Sequence, residues 1–201
     1  MNTETIIVNN EGQGMKEALS MTEKLGQNQG LSVKEQLHLR LLAEEVFSMM
    51  RTITHDVEAD YHVEYEGKSF RIFLEAEVDE LTREMRKTLL SVSSSGENSA
   101  VHGFLSKLKD VIGSVLLPED EGPSMLSTGL ISMGSPSGYH SEGMYEWSME
   151  QYRAAIKAEQ GEDAEDAWDE LEKSIVANIA DDISIFIKKT DVKIEIKKAF
   201  T

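Results

Sequence analysis

Apolar and polar residues alternate with a period of two in two separate parts of the chain, and each part contains a short turn. The turns are Glu66-Gly67 and Thr190-Asp191. Because successive side chains of a strand lie on opposite faces, this alternation predicts two β-hairpins, each with one buried face. The four hairpin strands are 61–66, 69–78, 183–188 and 192–198, and a further short strand is predicted at 3–9.

The longest helical pattern covers residues 33–54. Its apolar residues recur at intervals of three and four, which predicts a deeply buried helix. Glu44 points away from the apolar face, whereas Glu45 and His38 lie on its flank, where a side chain can face a cleft. The predicted apolar face consists of Leu39, Leu42, Ala43, Val46, Met49, Met50 and Ile53.

Two capping boxes mark helix starts, one at Ser32 and Glu35 and the other at Ser148 and Gln151. Between the hairpins, the segment 118–146 contains all three prolines of the chain and is rich in Gly and Ser, which predicts a long loop insertion that is the most mobile internal segment. The remaining predicted helices are 13–26, 80–91, 99–117, 148–160 and 162–181.

Long amphipathic helices and one-faced hairpins fit together most economically as two layers. We therefore expect a single α+β domain over residues 1–201, a two-layer α/β sandwich with the helices on one face of a mixed, mainly antiparallel sheet. The opposite face of that sheet is expected to be solvated.

The order of these elements resembles the ATP-binding fold of the GHKL group (gyrase, Hsp90, histidine kinase, MutL), also called the Bergerat or histidine-kinase-like ATPase fold. Within the group, the chain is most similar to the small anti-sigma-factor serine kinases. The stretches that carry the resemblance are 39–50, 69–78 and 175–185. The resemblance implies a site for ATP and Mg²⁺ between the buried helix 33–54 and the end of the strand 69–78.

The first motif that the resemblance implies is a Glu that polarises the attacking group, followed four residues later by an Asn that ligates Mg²⁺. Glu45 has the position of that Glu, as a relic catalytic base, but Met49 stands where the Asn is expected. A thioether does not ligate a hard cation such as Mg²⁺. Glu44 and Ser48 have the same spacing, but both lie away from the expected cleft.

Two further motifs of the family depart from its pattern. The family reads adenine with an Asp that shares the buried phase of its strand, but Ala76 and Val78 occupy that phase here. No Gly-x-Gly follows them. The phosphate-binding turn is expected at 165–173, where the chain is rich in carboxylates instead. These departures predict a degenerate ATP-binding site.

Charge and composition exclude several other classes of function. The net charge of −17 argues against binding nucleic acid or an anionic membrane. The chain has no cysteine, no predicted membrane span and no signal peptide, so we expect a cytoplasmic protein. Its five histidines form no pair at i and i+4, so no metal site is predicted.

Three hypotheses about function follow from the sequence. The first is a non-catalytic relative of anti-sigma-factor kinases that regulates by binding a protein. The second is a nucleotide-binding protein or serine kinase of the GHKL group with rewritten motifs, and only this one requires ATP and Mg²⁺. The third is an unrelated α+β domain with a small-molecule or structural role. None of them predicts the identity of the partner or the oligomeric state.

Overall fold

The structure is a computed structural model of the protein. It describes residues 1–53, 57–78, 144–158, 174–188 and 190–201, and also Glu165, Trp168, Asp169, Leu171 and Glu172. The predicted helices 80–91 and 99–117 lie outside the described residues, as does all but the end of the predicted loop 118–146.

Six strands form one open sheet in the described part of the chain. Their order across the sheet is β1-β2-β3-β6-β5-β4, and every neighbouring pair is antiparallel. The prediction of a mixed sheet is therefore replaced by an antiparallel one among these strands. The strands are β1 Ile6–Asn9, β2 Glu58–Glu66, β3 Ser69–Glu77, β4 Met144–Ser148, β5 Asp182–Lys188 and β6 Asp191–Ala199.

Four helices are described in addition to the sheet. They are α1 Met15–Asn28, α2 Val33–Ile53, α3 Met149–Ala158 and α4 Ile175–Ile179. Helix α2 contacts α1, α4, β3 and β6, whereas α3 contacts β4 and β5. The coarse prediction of an α+β chain with helices packed on an antiparallel sheet is confirmed.

One face of the sheet, which we call the inner face, is apolar from one edge to the other. A single row in register crosses all six strands and consists of Ile6, Tyr61, Leu74, Ile194, Ile185 and Trp147. Every member of the row is at most 7% exposed and belongs to one hydrophobic core. The buried hydrophobic side chains of the helices belong to the same core. The helices therefore cover the inner face.

Helix α2 is the central helix of this core. Its predicted apolar face is buried throughout the residues with described side chains, and Phe47 is also buried although it was not predicted. The capping box at its start is present, because the Ser32 amide donates to Glu35 Oε2 at 2.6 Å and the Glu35 amide donates to Ser32 Oγ at 3.4 Å. Hydrogen bonding of the Glu35 carboxylate by the side chain and the backbone amide of Ser32 lowers the pKa of Glu35.

Strand β4 was not predicted by the alternation of residues. It includes the last residues of the predicted loop, 144–146, and it pairs with β5 at the edge of the sheet. The predicted start of the following helix is confirmed, because Ser148 Oγ accepts a hydrogen bond from the Gln151 amide at 3.3 Å. Five residues hold too few alternations to distinguish a short strand from a loop.

The prediction of one continuous helix over 162–181 is wrong at its C-terminal part. Ser174 and Ala180 have extended backbones on either side of the short helix α4. Ser174 Oγ accepts a hydrogen bond from the Ala177 amide at 3.2 Å, so a new helix begins at this serine. Glu165, Trp168, Asp169, Leu171 and Glu172, which precede the break, are helical as predicted.

Candidate functional site

Helix α2 extends along the sheet, and its two halves lie near opposite ends of the strands. Its first turn lies next to the turn between β2 and β3, because Glu35 forms an ion pair with Lys68 of that turn at 3.4 Å. Its last residue, Ile53, is close in sequence to Glu58, where β2 begins. The C-terminal half of α2 is therefore directed toward the end of β3 and its following residue, Val78. This is the end at which the resemblance predicts the nucleotide site.

Glu45 is half-buried on α2 and forms no hydrogen bond or ion pair with any described residue. Burial removes water from the carboxylate and raises the pKa of Glu45 above its ordinary value. The prediction that Glu45 lies on the flank of the apolar face agrees with this position. One turn further along, Met49 is 2% exposed and belongs to the core.

The alternative pair with the same spacing has a different environment. Glu44 accepts a hydrogen bond from Arg40 Nε at 2.8 Å, and Arg40 also forms an ion pair with Glu23 of helix α1. Ser48 is half-buried. Glu44 therefore takes part in a surface ion-pair network that links α1 to α2, as expected for a residue that points away from the apolar face.

The end of β3 presents apolar side chains on the inner face. Val78 is 5% exposed, and its amide donates to the Thr190 carbonyl at 2.8 Å. Ala76 packs against the core. The carboxylates of this strand, Glu75 and Glu77, occupy the alternate positions, and Glu75 forms an ion pair with Lys193 at 2.7 Å. No carboxylate of β3 therefore occupies the inner phase where the resemblance predicts the adenine-reading Asp.

The predicted phosphate-binding region, 165–173, is described at five residues only. Glu165, Asp169 and Glu172 are exposed, and Trp168 Nε1 donates to Glu172 Oε1 at 2.8 Å. Lys157 of α3 lies over the Trp168 ring at 5.1 Å from its centroid. The three described carboxylates of this region are thus at the surface, and Trp168 among them lies next to the end of α3.

Val78 and Met144, the described residues on either side of 79–143, lie at the same end of the sheet. Val78 follows β3, and Met144, at the start of β4, pairs with Lys188. Lys188 pairs with Asp191, which in turn pairs with Glu77. The intervening residues 79–143 lie outside the described part, so the prediction that 118–146 is the most mobile internal segment stays a prediction.

The histidines with described side chains do not form a metal site. His38 is half-buried on α2, and His62 lies on β2 with its ring stacked on Phe73. In the described part of the chain, no three His, Cys, Asp or Glu side chains are grouped so as to hold a metal ion. Among these residues there is also no helix with the length and apolar character needed to cross a membrane.

The outer face of the sheet contains a cluster that the sequence did not predict. Phe73 of β3 is 4% exposed but is not part of the hydrophobic core. The His62 ring is stacked on it with centroids 4.8 Å apart, and Lys193 Nζ lies 4.4 Å from its centroid. Arg71 also lies over this ring, at 5.5 Å. The only sign of this cluster in the sequence is Phe73 itself, an aromatic residue at a position of β3 where the alternation predicts a polar one.

Glu195 of β6 lies directly opposite Phe73 and is 6% exposed. Its carboxylate is 3.5 Å from Arg71 and 3.8 Å from Lys197, and Oε1 accepts no hydrogen bond. Arg71 also forms an ion pair with Glu64, and Lys197 with Asp182. The centre of the outer face therefore has an aromatic ring and a network of neutralised charges.

No protein-family model, no curated protein and no solved structure matches this chain.

Proposed function

We propose that the chain is a non-catalytic regulatory domain that resembles the anti-sigma-factor serine kinases and works by binding another protein. The observation that carries the proposal is the burial of Met49 in the core, one turn after Glu45. In the family this position supplies an oxygen ligand for Mg²⁺, whereas Met49 supplies a buried thioether.

The environment at the end of β3 supports the same conclusion. Ala76 and Val78 are the inner-face residues there, and neither can accept a hydrogen bond from a nucleobase through its side chain. The described arrangement of helices on an antiparallel sheet is compatible with the two-layer α/β class, to which the ATPase fold that we propose belongs. In this proposal the chain has the ATPase fold but does not bind or use ATP.

The test is identification of the bound protein. The tagged full-length chain is expressed in its native cells, cross-linked mildly and purified, and the interaction is reconstituted with the two purified proteins. We expect a defined complex of fixed stoichiometry that forms without nucleotide. A chain that forms no complex after reconstitution, or a complex that requires Mg²⁺-ATP, contradicts the proposal.

A second candidate function is nucleotide binding, or serine kinase activity, with rewritten motifs. The observation that favours it is Glu45, because this carboxylate is half-buried and desolvated and lacks a partner among the described residues. A partly buried carboxylate with a raised pKa is suited to act as a general base. Only this candidate requires ATP and Mg²⁺.

A further inference from the structure

The outer face of the sheet is not covered by any described helix. The buried hydrophobic residues of α1 to α4 all belong to the core on the inner face, and Phe73 lies outside that core. The Phe73 ring lies outside the core and is nevertheless almost completely buried, because the long, flexible side chains of Arg71 and Lys193 cover it. Such side chains can move aside and expose the ring to a partner.

Charges are distributed unevenly over this face. Around Phe73 the carboxylates have basic neighbours, as the ion pairs of Arg71 and Lys193 demonstrate. Toward the end where β2 begins and β3 ends, four exposed carboxylates have no ion pair or hydrogen bond within the described part of the chain. This acidic corner consists of Glu58, Asp60, Glu77 and Asp191.

The acidic corner contains like charges at facing positions. Glu77 lies directly opposite Asp191, whose other neighbour across the sheet is Lys188 of β5. Asp60 lies directly opposite Glu75, which is paired with Lys193. Like charges at facing positions of neighbouring strands destabilise a sheet. A basic partner placed over the corner would relieve this repulsion and would replace hydration with ion pairs.

Apolar side chains lie beside the acidic corner on the same face. Ile7 of β1 is 55% exposed and lies directly opposite Asp60. His62, the next outer-face residue of β2 after Asp60, and Phe73, which faces His62 on β3, continue from Ile7 as a diagonal strip across β1, β2 and β3. A strip of one exposed aliphatic side chain and two stacked rings, next to four carboxylates that form no ion pair with a described residue, matches the usual anatomy of an interface, with an apolar centre and a polar rim.

We propose that the outer face, through the Ile7–His62–Phe73 strip and the acidic corner, binds a basic amphipathic helix of a protein partner. The apolar side of that helix covers the strip, and its Lys and Arg side chains neutralise the corner. The proposal rests on the proposed protein-binding function, and it identifies the surface and the charge of the partner. The net charge of −17 favours attraction of a basic segment from a distance.

The experiment uses the full chain and two synthetic helical peptides of equal length as probes. One peptide has Leu on one side and Lys on the other, and the second has Glu in place of Lys. Amide chemical shifts report where each peptide binds. We expect the Leu/Lys peptide to shift amides of β1, β2 and β3 and the Leu/Glu peptide to shift none.

Matched variants separate this surface from a general effect of charge. E58K/E77K is expected to weaken binding of the Leu/Lys peptide by about tenfold, whereas E17K/E150K, with the same change in net charge at exposed positions of α1 and α3, is expected to weaken it by less than about twofold. Ile7→Ser is expected to weaken binding, and Val33→Ser, at a position on α2 that is 84% exposed, is not.

Equal losses in the two charge variants, or shifts centred on the helices, overturn the proposal, and so does the absence of binding. The outcome is distinguishable from failure of the proposed function. A natural partner that still binds E58K/E77K with unchanged affinity contradicts this surface but leaves protein binding intact. A chain with no partner contradicts the proposed function, whatever the peptides do.

Discussion

The two faces of the sheet are built from alternate residues of the same strands, yet their side chains make different kinds of interaction. On β6, Val192, Ile194 and Ile196 are buried in the core, whereas Lys193 and Lys197 on the outer face form ion pairs with carboxylates of neighbouring strands. Burial of apolar area dominates the stability of the inner face. Exposed ion pairs contribute little, so the outer face can vary its chemistry without loss of the fold.

The largest expected effect comes from truncation on the inner face. Ile194 lies at the centre of the core row, and Ile194→Ala should lower the free energy of unfolding by about 2–5 kcal/mol through lost burial and the cavity that remains. The adjacent residue provides the control. Lys193→Ala on the outer face should change the free energy by less than about 1 kcal/mol.

Urea unfolding of both variants measures this difference. Similar losses for Ile194→Ala and Lys193→Ala would mean that the outer face is also packed in a way that contributes to stability. That result would contradict the distinction between the two faces.

A medium effect is expected at the buried hydrogen bond of the inner face. Tyr61 Oη lies 2.7 Å from Thr22 Oγ1, and the Thr22 hydroxyl is 2.8 Å from the Ala18 carbonyl. Because the Ala18 carbonyl can only accept, the Thr22 hydroxyl donates to it and Tyr61 donates to Thr22. Burial raises the pKa of Tyr61, so the neutral donor form is the one present.

Tyr61→Phe should therefore lower the free energy of unfolding by about 0.5–1.5 kcal/mol, since the ring and its contact with Phe47 remain. Thermal unfolding of Tyr61→Phe, Thr22→Val and the double variant measures the coupling between the two side chains. Additive effects in this cycle would show that the hydrogen bond does not link α1 to β2.

Sequence patterns predicted the inner face well because its residues obey a strict period. The alternation at Phe70, Ile72 and Leu74 and the helical spacing of α2 both reflect burial, which the structure reproduces. The break before α4 depends on a single serine cap, and β4 is too short for a period to emerge. The position of Phe73 could not be interpreted from alternation, because its cover of His62, Arg71 and Lys193 comes from other positions and strands.

The candidate site was predicted only in part. The flank position of Glu45 and the apolar phase of Val78 follow from local periodicity, and both agree with the structure. That Glu45 lacks a described partner, while Glu44 is held by Arg40, depends on the packing of α1 against α2. Periodicity within one helix contains no information about that contact.

The smallest effect is expected from Glu45, at the border of the inner face. The pKa of Glu45 is raised in the folded protein, so between the ordinary and the raised pKa the folded chain binds a proton that the unfolded chain has released. The free energy of unfolding therefore falls as pH rises from the ordinary pKa of 4.5 through the raised one. Glu45→Gln removes the cost of burying the charge. The variant should therefore be slightly more stable than the wild type at neutral pH and similar to it at a pH below the ordinary value of 4.5.

Glu35 is the matched control with the opposite sign. Its pKa is lowered by hydrogen bonds with Ser32, so its contribution to stability is present above the ordinary value and is lost as pH falls through the lowered one. Glu35→Gln should be destabilising at neutral pH. Unfolding free energies measured from acidic to neutral pH test both signs, and a destabilised Glu45→Gln at neutral pH would indicate that the charged form of Glu45 has a favourable partner.

The central claim about the candidate site, that the chain does not bind ATP, is tested most directly by titration of the purified chain with Mg²⁺-ATP while its thermal unfolding is followed. Binding with ligand at 100 times Kd would stabilise the fold by about 2.7 kcal/mol, which raises Tm by at least about 5 °C in a chain of this size. With Met49 in the core and Ala76 and Val78 on the inner face, we expect no shift at physiological ATP concentration. A Mg²⁺-ATP-dependent shift of that size that disappears in Glu45→Ala would contradict the claim and would establish the nucleotide-binding alternative.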